Sequence, residues 1–367
     1  MSVLDRKELE QSPLADLHAI AAELGIEGFR RLRREELIET ILGGDEAVAE
    51  ARAQRTAGAA GESGRPQDVG EEIAAEEEAV EEQPPEPPEP SEEVRRGVLD
   101  ILPNGSGFMR SDAFAQSRDD VYVSPAQIRR CELRSGDDIS GPVRAPRRSE
   151  RHPSLVRVET VNGAPAEPPA DRAHFADLTP VFASERLTAP EGLESVPFGK
   201  GSRVAVGGPP GAGVTSLLRR SVLALASSHS ELELTVVLAG VRPEEVTEWR
   251  RDAAVTVAGG GYDRPVDEQA QAAEIAVERA KRAVERGGDA VVVIDSLDAL
   301  PPGVARRVFG AARKAEEGGS LTLIAATGLA GEPQRVATTR IVLEPPDGSG
   351  VPRIAPASAT LRADLLQ

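Results

Sequence analysis

The chain has a single cysteine, Cys131, in 367 residues, which excludes a disulfide framework and any cysteine-based zinc site. Aromatic residues are only 3% of the total, so each one that falls beside basic residues carries more information than usual. No apolar run approaches the ~20 residues that a membrane span needs, and no secretory apolar segment opens the sequence. A cytoplasmic protein without membrane contact is therefore expected. The balance of charge is −18 with a pI near 4.9, which argues against indiscriminate electrostatic capture of nucleic acid. Lysine is scarce beside alanine, arginine and glycine, which suggests a GC-rich genome and says nothing about activity.

A further absence lies inside a motif. Val204-Ala205-Val206-Gly207-Gly208-Pro209-Pro210-Gly211-Ala212-Gly213-Val214-Thr215-Ser216 reads as a β-branched strand, a tight Gly/Pro turn and a helix start. In a P-loop, turn amides and a helix N-terminus point at phosphate oxygens, so Pro210, Gly211, Ala212, Gly213, Val214, Thr215 and Ser216 are the candidate nucleotide-binding residues. The usual ending is Gly-Lys-Ser/Thr; here it is Gly213-Val214-Thr215. Valine supplies neither the charge that reaches the β- and γ-phosphates nor a hydrogen-bond donor.

What is present falls into three blocks joined by two weaker stretches. Residues 1–43 carry apolar positions at helical spacing (Leu14, Leu17, Ile20, Leu24, then Leu32, Leu37, Ile38, Ile41), interrupted at Gly25-Ile26-Glu27-Gly28. The cluster Arg30-Arg31-Leu32-Arg33-Arg34 is either a solvated helix face or a contact for a nucleic-acid backbone or an acidic partner. Residues 44–94 turn into Ala, Glu, Pro and Gly, with Glu76-Glu77-Glu78 and a Pro/Glu run at 83–90, and read as a disordered, self-repelling linker. Most of the net acidity sits here, so the flanking domains are closer to neutral than the total implies.

Residues 95–161 alternate like short strands: Gly97–Leu102, Gly107–Arg110, Asp120–Val123, Asp138–Val143 and Ser154–Val158, with turn signals at Pro103-Asn104-Gly105 and Ser135-Gly136-Asp137. Five short strands in ~65 residues fit a small barrel of the OB type. A Pro/Ala-rich connector occupies 162–177. From 178 to 367 strands and helices alternate, with strands expected at Arg203–Val206, Leu232–Leu238, Ala290–Ile294, Leu321–Ala325 and Arg340–Leu343, and helices at Val266–Arg286 and Val304–Glu317. That rhythm predicts a mostly parallel sheet wrapped by helices.

In the barrel, Phe108 and Arg110 share one strand face, as do Tyr122 and Asp120. Rings beside Arg and Asp on a β-surface are how OB folds stack bases and read their edges. Arg129, Arg130, Arg134, Arg144, Arg147, Arg148 and Arg151 offer phosphate contacts. The alternative is that Phe108 and Tyr122 are core residues.

The runs Gly97-Val98-Leu99-Asp100-Ile101-Leu102, Gly107-Phe108-Met109-Arg110-Ser111 and Asp119-Asp120-Val121-Tyr122-Val123-Ser124-Pro125-Ala126-Gln127-Ile128-Arg129-Arg130 closely resemble the RNA-binding domain of the bacterial transcription termination factor Rho family. The first block resembles that family's N-terminal domain. Arg242-Pro243-Glu244-Glu245-Val246-Thr247-Glu248, Val291-Val292-Val293-Ile294-Asp295-Ser296 and the run from Phe309 to Thr322 resemble its RecA-like motor. The implied fold is multidomain α+β: a small N-terminal helical domain, an OB-type β-barrel, then a RecA-like α/β P-loop domain. By the resemblance, pyrimidines stack on Phe108 and Tyr122, assisted by Arg110 and Asp120, with Arg151 and His152 completing the RNA site. Ser106 stands where the family has another aromatic, and His152 where it has Tyr.

The motor departs further. Gly211 and Val214 replace the family's two loop lysines, Gly240-Val241 its Asp-Glu with the water-polarising glutamate, and Asp298-Ala299 its Thr-Arg. Asp295, at the Walker B position, is retained and could hold Mg²⁺ through water. The Gly-rich RNA-gripping loop between Asp298 and Phe309 is missing, and the later central-pore loop has no counterpart between Gly328 and Arg340. Leu361 occupies the arginine-finger position, with Arg362 a substitute only after a register slip, and the sequence ends at Gln367 short of the family's C-terminal helices. The lysine clamp, water-activating carboxylate and transition-state arginine stabilise phosphoryl transfer, and losing the finger alone costs roughly 10³–10⁵ in rate.

No catalytic residue is therefore assigned and no cofactor is required; ATP and Mg²⁺ are weak candidate ligands. The expected function is single-stranded RNA binding in, or regulating, transcription termination with a degenerate motor. A catalytic Rho or RNA polymerase is the candidate protein partner, and homo-oligomerisation is left open. The rivals are an active ATP-dependent RNA translocase acting as terminator, and an assembly module whose barrel binds no RNA.

Overall fold

The computed structural model describes Leu17, Ile38, Ile41 and residues 93–110, 116–148, 150–251 and 255–366. The expected N-terminal helices and acidic linker lie almost wholly outside these residues; Leu17 and Ile38 are helical and buried. The chain divides into one unit spanning Met1–Pro84 and a second, Pro85–Gln367, which holds the barrel and the α/β domain.

The barrel is built from β1 (Glu93–Ile101), β2 (Gly107–Arg110), β3 (Val121–Val123), β4 (Asp138–Arg144) and β5 (Ser154–Leu155). Among the described residues these close in the order β1-β2-β3-β5-β4-β1, which removes free edges, and β6 (Thr160–Val161) and β7 (Ala164–Pro165) extend the sheet beyond β4. Alternation sorts the side chains: Leu99, Met109, Val121, Val123 and Ile139 fill the interior, leaving Phe108 and Tyr122 half-buried outside it. Helix α1 (Pro125–Arg130) lies between β3 and β4. Its signature is legible in hindsight: Ser124 and Gln127 form a reciprocal capping box and Pro125 opens the first turn.

The α/β domain begins with β8 (Pro180–Val181) and β9 (Arg203–Gly207), followed by α2 (Val214–Ser228), β10 (Glu233–Val241), α3 (Pro243–Arg251), β11 (Thr256–Gly261) and α4 (Val266–Glu285). It continues with β12 (Asp289–Asp295), α5 (Pro302–Gly310), β13 (Arg313–Ala315), β14 (Ser320–Ala326), α6 (Glu332–Val336), β15 (Thr339–Val342) and β16 (Ala359–Thr360). The sheet runs β11-β10-β12-β14-β9-β15-β16, parallel from β11 to β15, with β13 antiparallel to β14 and β8 antiparallel to β13. The central strands are apolar on both sides because helices cover both faces: Val292 and Ile294 pack with α4 and α5, Val291 and Val293 with α2 and α3.

The helix expected over Val304–Glu317 ends at Gly310, and Arg313–Ala315 is a strand paired with Leu321 and Ser320. The Arg/Lys/Glu run has helical composition, but hydrogen bonding to the neighbouring β14 overrides that local preference. β11 was not foreseen, since Thr256–Gly261 ends in three glycines that carry no strand preference.

Helix α4 is also the platform on which the barrel sits. Gly136, at φ +86°, lies so close to it that a Cβ there would stand 2.3 Å from the carbonyl carbon of Glu278. Arg134 donates to Glu285 (3.2 Å), Arg282 pairs with the same carboxylate (3.1 Å), and Gln271 donates to Asp100 (2.5 Å).

Candidate nucleic-acid interface and phosphate loop

β2 and β3 set Phe108 directly opposite Tyr122, with ring centroids 6.0 Å apart at 73°. The chain after β4 returns His152 to the same place, its ring centroid 5.0 Å from Phe108 and inclined at 68°. These three rings line a cleft of about 510 Å³ together with Gln127, Arg130, Arg144, Glu150 and Arg151. The structure thus joins Phe108, Tyr122, Arg151 and His152, four of the six expected RNA-contact residues.

Arg110 and Asp120 stand differently: both are buried, Arg110 at 4% exposure and Asp120 at 1%. Arg110 Nη1 donates to Asp120 Oδ2 and Nη2 to Asp100 Oδ2, each at 2.5 Å, while its guanidinium lies 5.2 Å from the Phe108 ring centroid. Their place is behind the rings. Ser106, where another aromatic was expected, is buried and donates its hydroxyl to Asn104 in the β1–β2 turn.

Glu150 and Gln127 were missed as cleft residues. Arg144 grips Glu150 through two hydrogen bonds of 2.6 and 2.8 Å, and with the Arg147 amide holds its carboxyl at about 2, so it stays anionic. Gln127 is fixed by donating to the Leu155 and Val156 carbonyls. A polar residue at N3 of a capped helix was the available signal for Gln127; no local pattern identifies Glu150. Arg130, Arg144 and Arg151 line the cleft, and Arg129, Arg147 and Arg148, their neighbours in sequence, are exposed.

In the α/β domain the strand, turn and helix of the phosphate loop form as read. Gly213 caps α2 in the left-handed region at φ 87°, and Val214 is the helix's first residue. Pro352 crowds this terminus, since a Cβ on Gly213 would lie 2.8 Å from its ring, and Pro346 stands 3.5 Å from the corresponding point of Gly211. The prolines are held by Arg353, which pairs with Glu344 and Asp347 at 3.2 Å each.

Asp295 ends β12 at 5% exposure with Oδ2 buried and unpartnered. Burial pushes its carboxyl up to about 6; the Thr215 hydroxyl opposes that rise and Glu245 reinforces it. An orphaned carboxylate oxygen beside a threonine hydroxyl fits a hydrated Mg²⁺. The other half of the site has no cation to clamp the terminal phosphates of a triphosphate: neither Gly211 nor Val214 carries charge. Val241 belongs to the apolar core under α2 and α3, at 6% exposure, and Gly240 abuts Ala299, whose methyl would be 2.7 Å from a Cβ there. Asp298 accepts from Thr327 Oγ1 and the Gly328 amide and is a loop brace. Leu361 is exposed, and Arg362 pairs with Asp364 while lying 5.9 Å from the Phe182 ring. No step of phosphoryl transfer follows from these residues.

The sequence profile of the Rho termination factor RNA-binding domain matches residues 95–167, and that of the Rho termination factor N-terminal domain matches 8–44. The transcription termination factor Rho of Aquifex aeolicus (strain VF5) is 37% identical over 363 residues, covering 89% of this chain and 74% of the relative. Those of Pseudomonas fluorescens biotype C and Escherichia coli (strain K12) are 35% and 33% identical over 354 residues, each covering 87% of this chain and 75% of the relative. A solved type III secretion system ATPase of pathogenic bacteria overlaps 58% of this chain and 74% of its own at 20% identity, with a TM-score of 0.44. No helix among the described residues is long and apolar enough to cross a membrane.

Proposed function

The chain belongs to the transcription termination factor Rho family, and from that membership we propose that it binds single-stranded RNA and acts in or regulates transcription termination without an ATP-driven motor. The observation that carries this reading is the cluster of Phe108, Tyr122 and His152 on the outer face of the barrel, half-buried and ringed by arginines. Core rings would face Met109 and Val121; these rings face solvent, where each base stacked on one gains roughly 1–3 kcal/mol. The exposed arginines supply salt-dependent attraction to phosphates that the acidic total conceals.

Loss of the motor rests on side chains in separate places. Val214 brings no charge to the loop, Val241 is committed to the core, and Leu361 has no guanidinium. ATP and Mg²⁺ bind weakly, through the loop amides, Thr215 and Asp295, and are not turned over.

A filter-binding assay with labelled cytidine-rich RNA, run beside an ATPase assay on the same sample, tests both halves. RNA binding that collapses in Phe108→Ala and Tyr122→Ala, with no RNA-stimulated phosphate release, is the expected result. RNA-stimulated hydrolysis at rates typical of the family would overturn the motor half, and indifference of RNA affinity to both substitutions would overturn the other.

A further inference from the structure

We infer that Gln271, a residue of the α/β domain, is a positioning residue for base binding on the barrel, acting on Phe108 through Asp100 and Arg110. The inference rests on the RNA-binding reading and adds to it a dependence on helix α4 that the barrel's own sequence does not contain.

Arg110 is the only cation among the described residues that ion-pairs with Asp100 or Asp120, and it serves both, so the buried cluster holds two carboxyl groups against one guanidinium. Such a cluster needs further donors, because a carboxylate withdrawn from water keeps its cost unless its oxygens are hydrogen-bonded. Asp120 obtains one from the Ser117 amide at 2.9 Å. Asp100 obtains its own from Gln271, whose Nε2 donates to Oδ2, the same oxygen that accepts from Arg110, at 2.5 Å. The other end of the Gln271 amide accepts from Gln116 Nε2 at 2.5 Å, so the side chain is held at both ends and its donor is fixed toward Asp100.

The order of contacts sets the direction of influence. Gln271 is not among the residues that line the cleft. Asp100 orients one arm of the guanidinium and Asp120 the other, and that plane lies 5.2 Å from the Phe108 ring centroid. Phe108 in turn meets both Tyr122 and His152. Removing the Gln271 donor leaves Asp100 with the single Nη2 arm of Arg110 and frees Gln116, and the looser Arg110 no longer fixes the slope of the Phe108 ring. The barrel's docking on α4, through Gly136 and the Arg134–Glu285 pair, is made elsewhere along the helix and survives the change.

The test uses the full chain and fluorescence anisotropy with a labelled oligocytidylate of about 12 nucleotides, within the roughly 4–16 that a barrel of this kind covers. Gln271→Leu should raise Kd about three- to tenfold. Gln271→Glu, which keeps the shape but turns an acceptor toward Asp100, should raise it at least as much and serves if the leucine variant does not fold. In a Phe108→Ala background neither substitution should lower the residual affinity further. Unchanged Kd in both single variants, with wild-type binding intact, overturns this inference and leaves the RNA reading standing. An equal loss in the Phe108→Ala background also overturns it, since the effect would then not pass through the ring. Absence of wild-type binding, or indifference to Phe108→Ala, overturns the RNA reading and this inference with it.

Discussion

His152 meets Phe108 edge to face at 5.0 Å and so closes the aromatic cluster that Phe108 forms with Tyr122. An edge-to-face pair keeps one ring's face available for stacking. His152→Ala removes one platform and should weaken cytidine-rich RNA binding by about five- to 150-fold, the range set by roughly 1–3 kcal/mol per stacked base. His152→Tyr should retain or tighten binding. Anisotropy titrations of the three proteins check this, and equal affinities would show that His152 carries no base.

Asp295 governs a pH dependence of stability. Its carboxyl is raised from 3.8 to about 6, so the folded protein holds the proton more tightly than the unfolded chain. Stability from this group is therefore full below about 4, declines as pH rises toward about 6, and is level above it. Asp295→Asn should stabilise the protein at pH 7 by up to about 3 kcal/mol and flatten the slope between pH 4 and 6. Thermal unfolding of both proteins at pH 4, 5, 6 and 8 reads it; an asparagine variant less stable at pH 8 would mean the carboxylate has a partner that repays its burial.

On the proposed reading, a lysine placed in the phosphate loop should not by itself bring ATP turnover. Val214→Lys returns charge at the N-terminus of α2, yet Val241 stays in the core, Pro352 stays against Gly213, and Leu361 offers no cation. RNA-stimulated phosphate release from this variant should remain at background, although nucleotide affinity rises. A variant that turns over ATP in an RNA-stimulated manner would contradict the proposed loss of the motor.

Gly136→Ala should separate the barrel from α4. The position has φ +86°, and the added methyl would meet the Glu278–Arg279 backbone, which cannot rotate away. A cost of about 2–4 kcal/mol is expected from strain and clash together. Urea denaturation should change from one transition to two as the domains uncouple, and an unchanged single transition would contradict a rigid seat.

Much of the fold was written locally. Leu99, Met109 and Val121 alternate with outward positions, Val291 to Ile294 form an unbroken apolar strand, and Gly213-Val214-Thr215 marks a helix start, each a pattern a few residues long. The strand at Arg313–Ala315 was not, because its charged run prefers helix until β14 lies beside it. In the candidate site, Phe108 and Tyr122 were legible from their spacing and His152 only through the family resemblance, while Glu150 was not, since its value comes from its ion pair with Arg144.

The sequence alone determined which chemical groups exist: three rings in the barrel segment, one carboxylate at the end of β12, and no lysine in the phosphate loop. Tertiary structure decided which of them are available. Arg110 and Asp120 look like base-reading groups in the linear chain, yet barrel closure brings Asp100 to them and α4 brings Gln271, and together these bury the cluster behind the rings. Val241 likewise points into the core because β10 is covered on that face by α2 and α3. The reason is common to both cases: burial and hydrogen-bond partnership depend on residues far apart in the chain, and no local pattern records who will arrive.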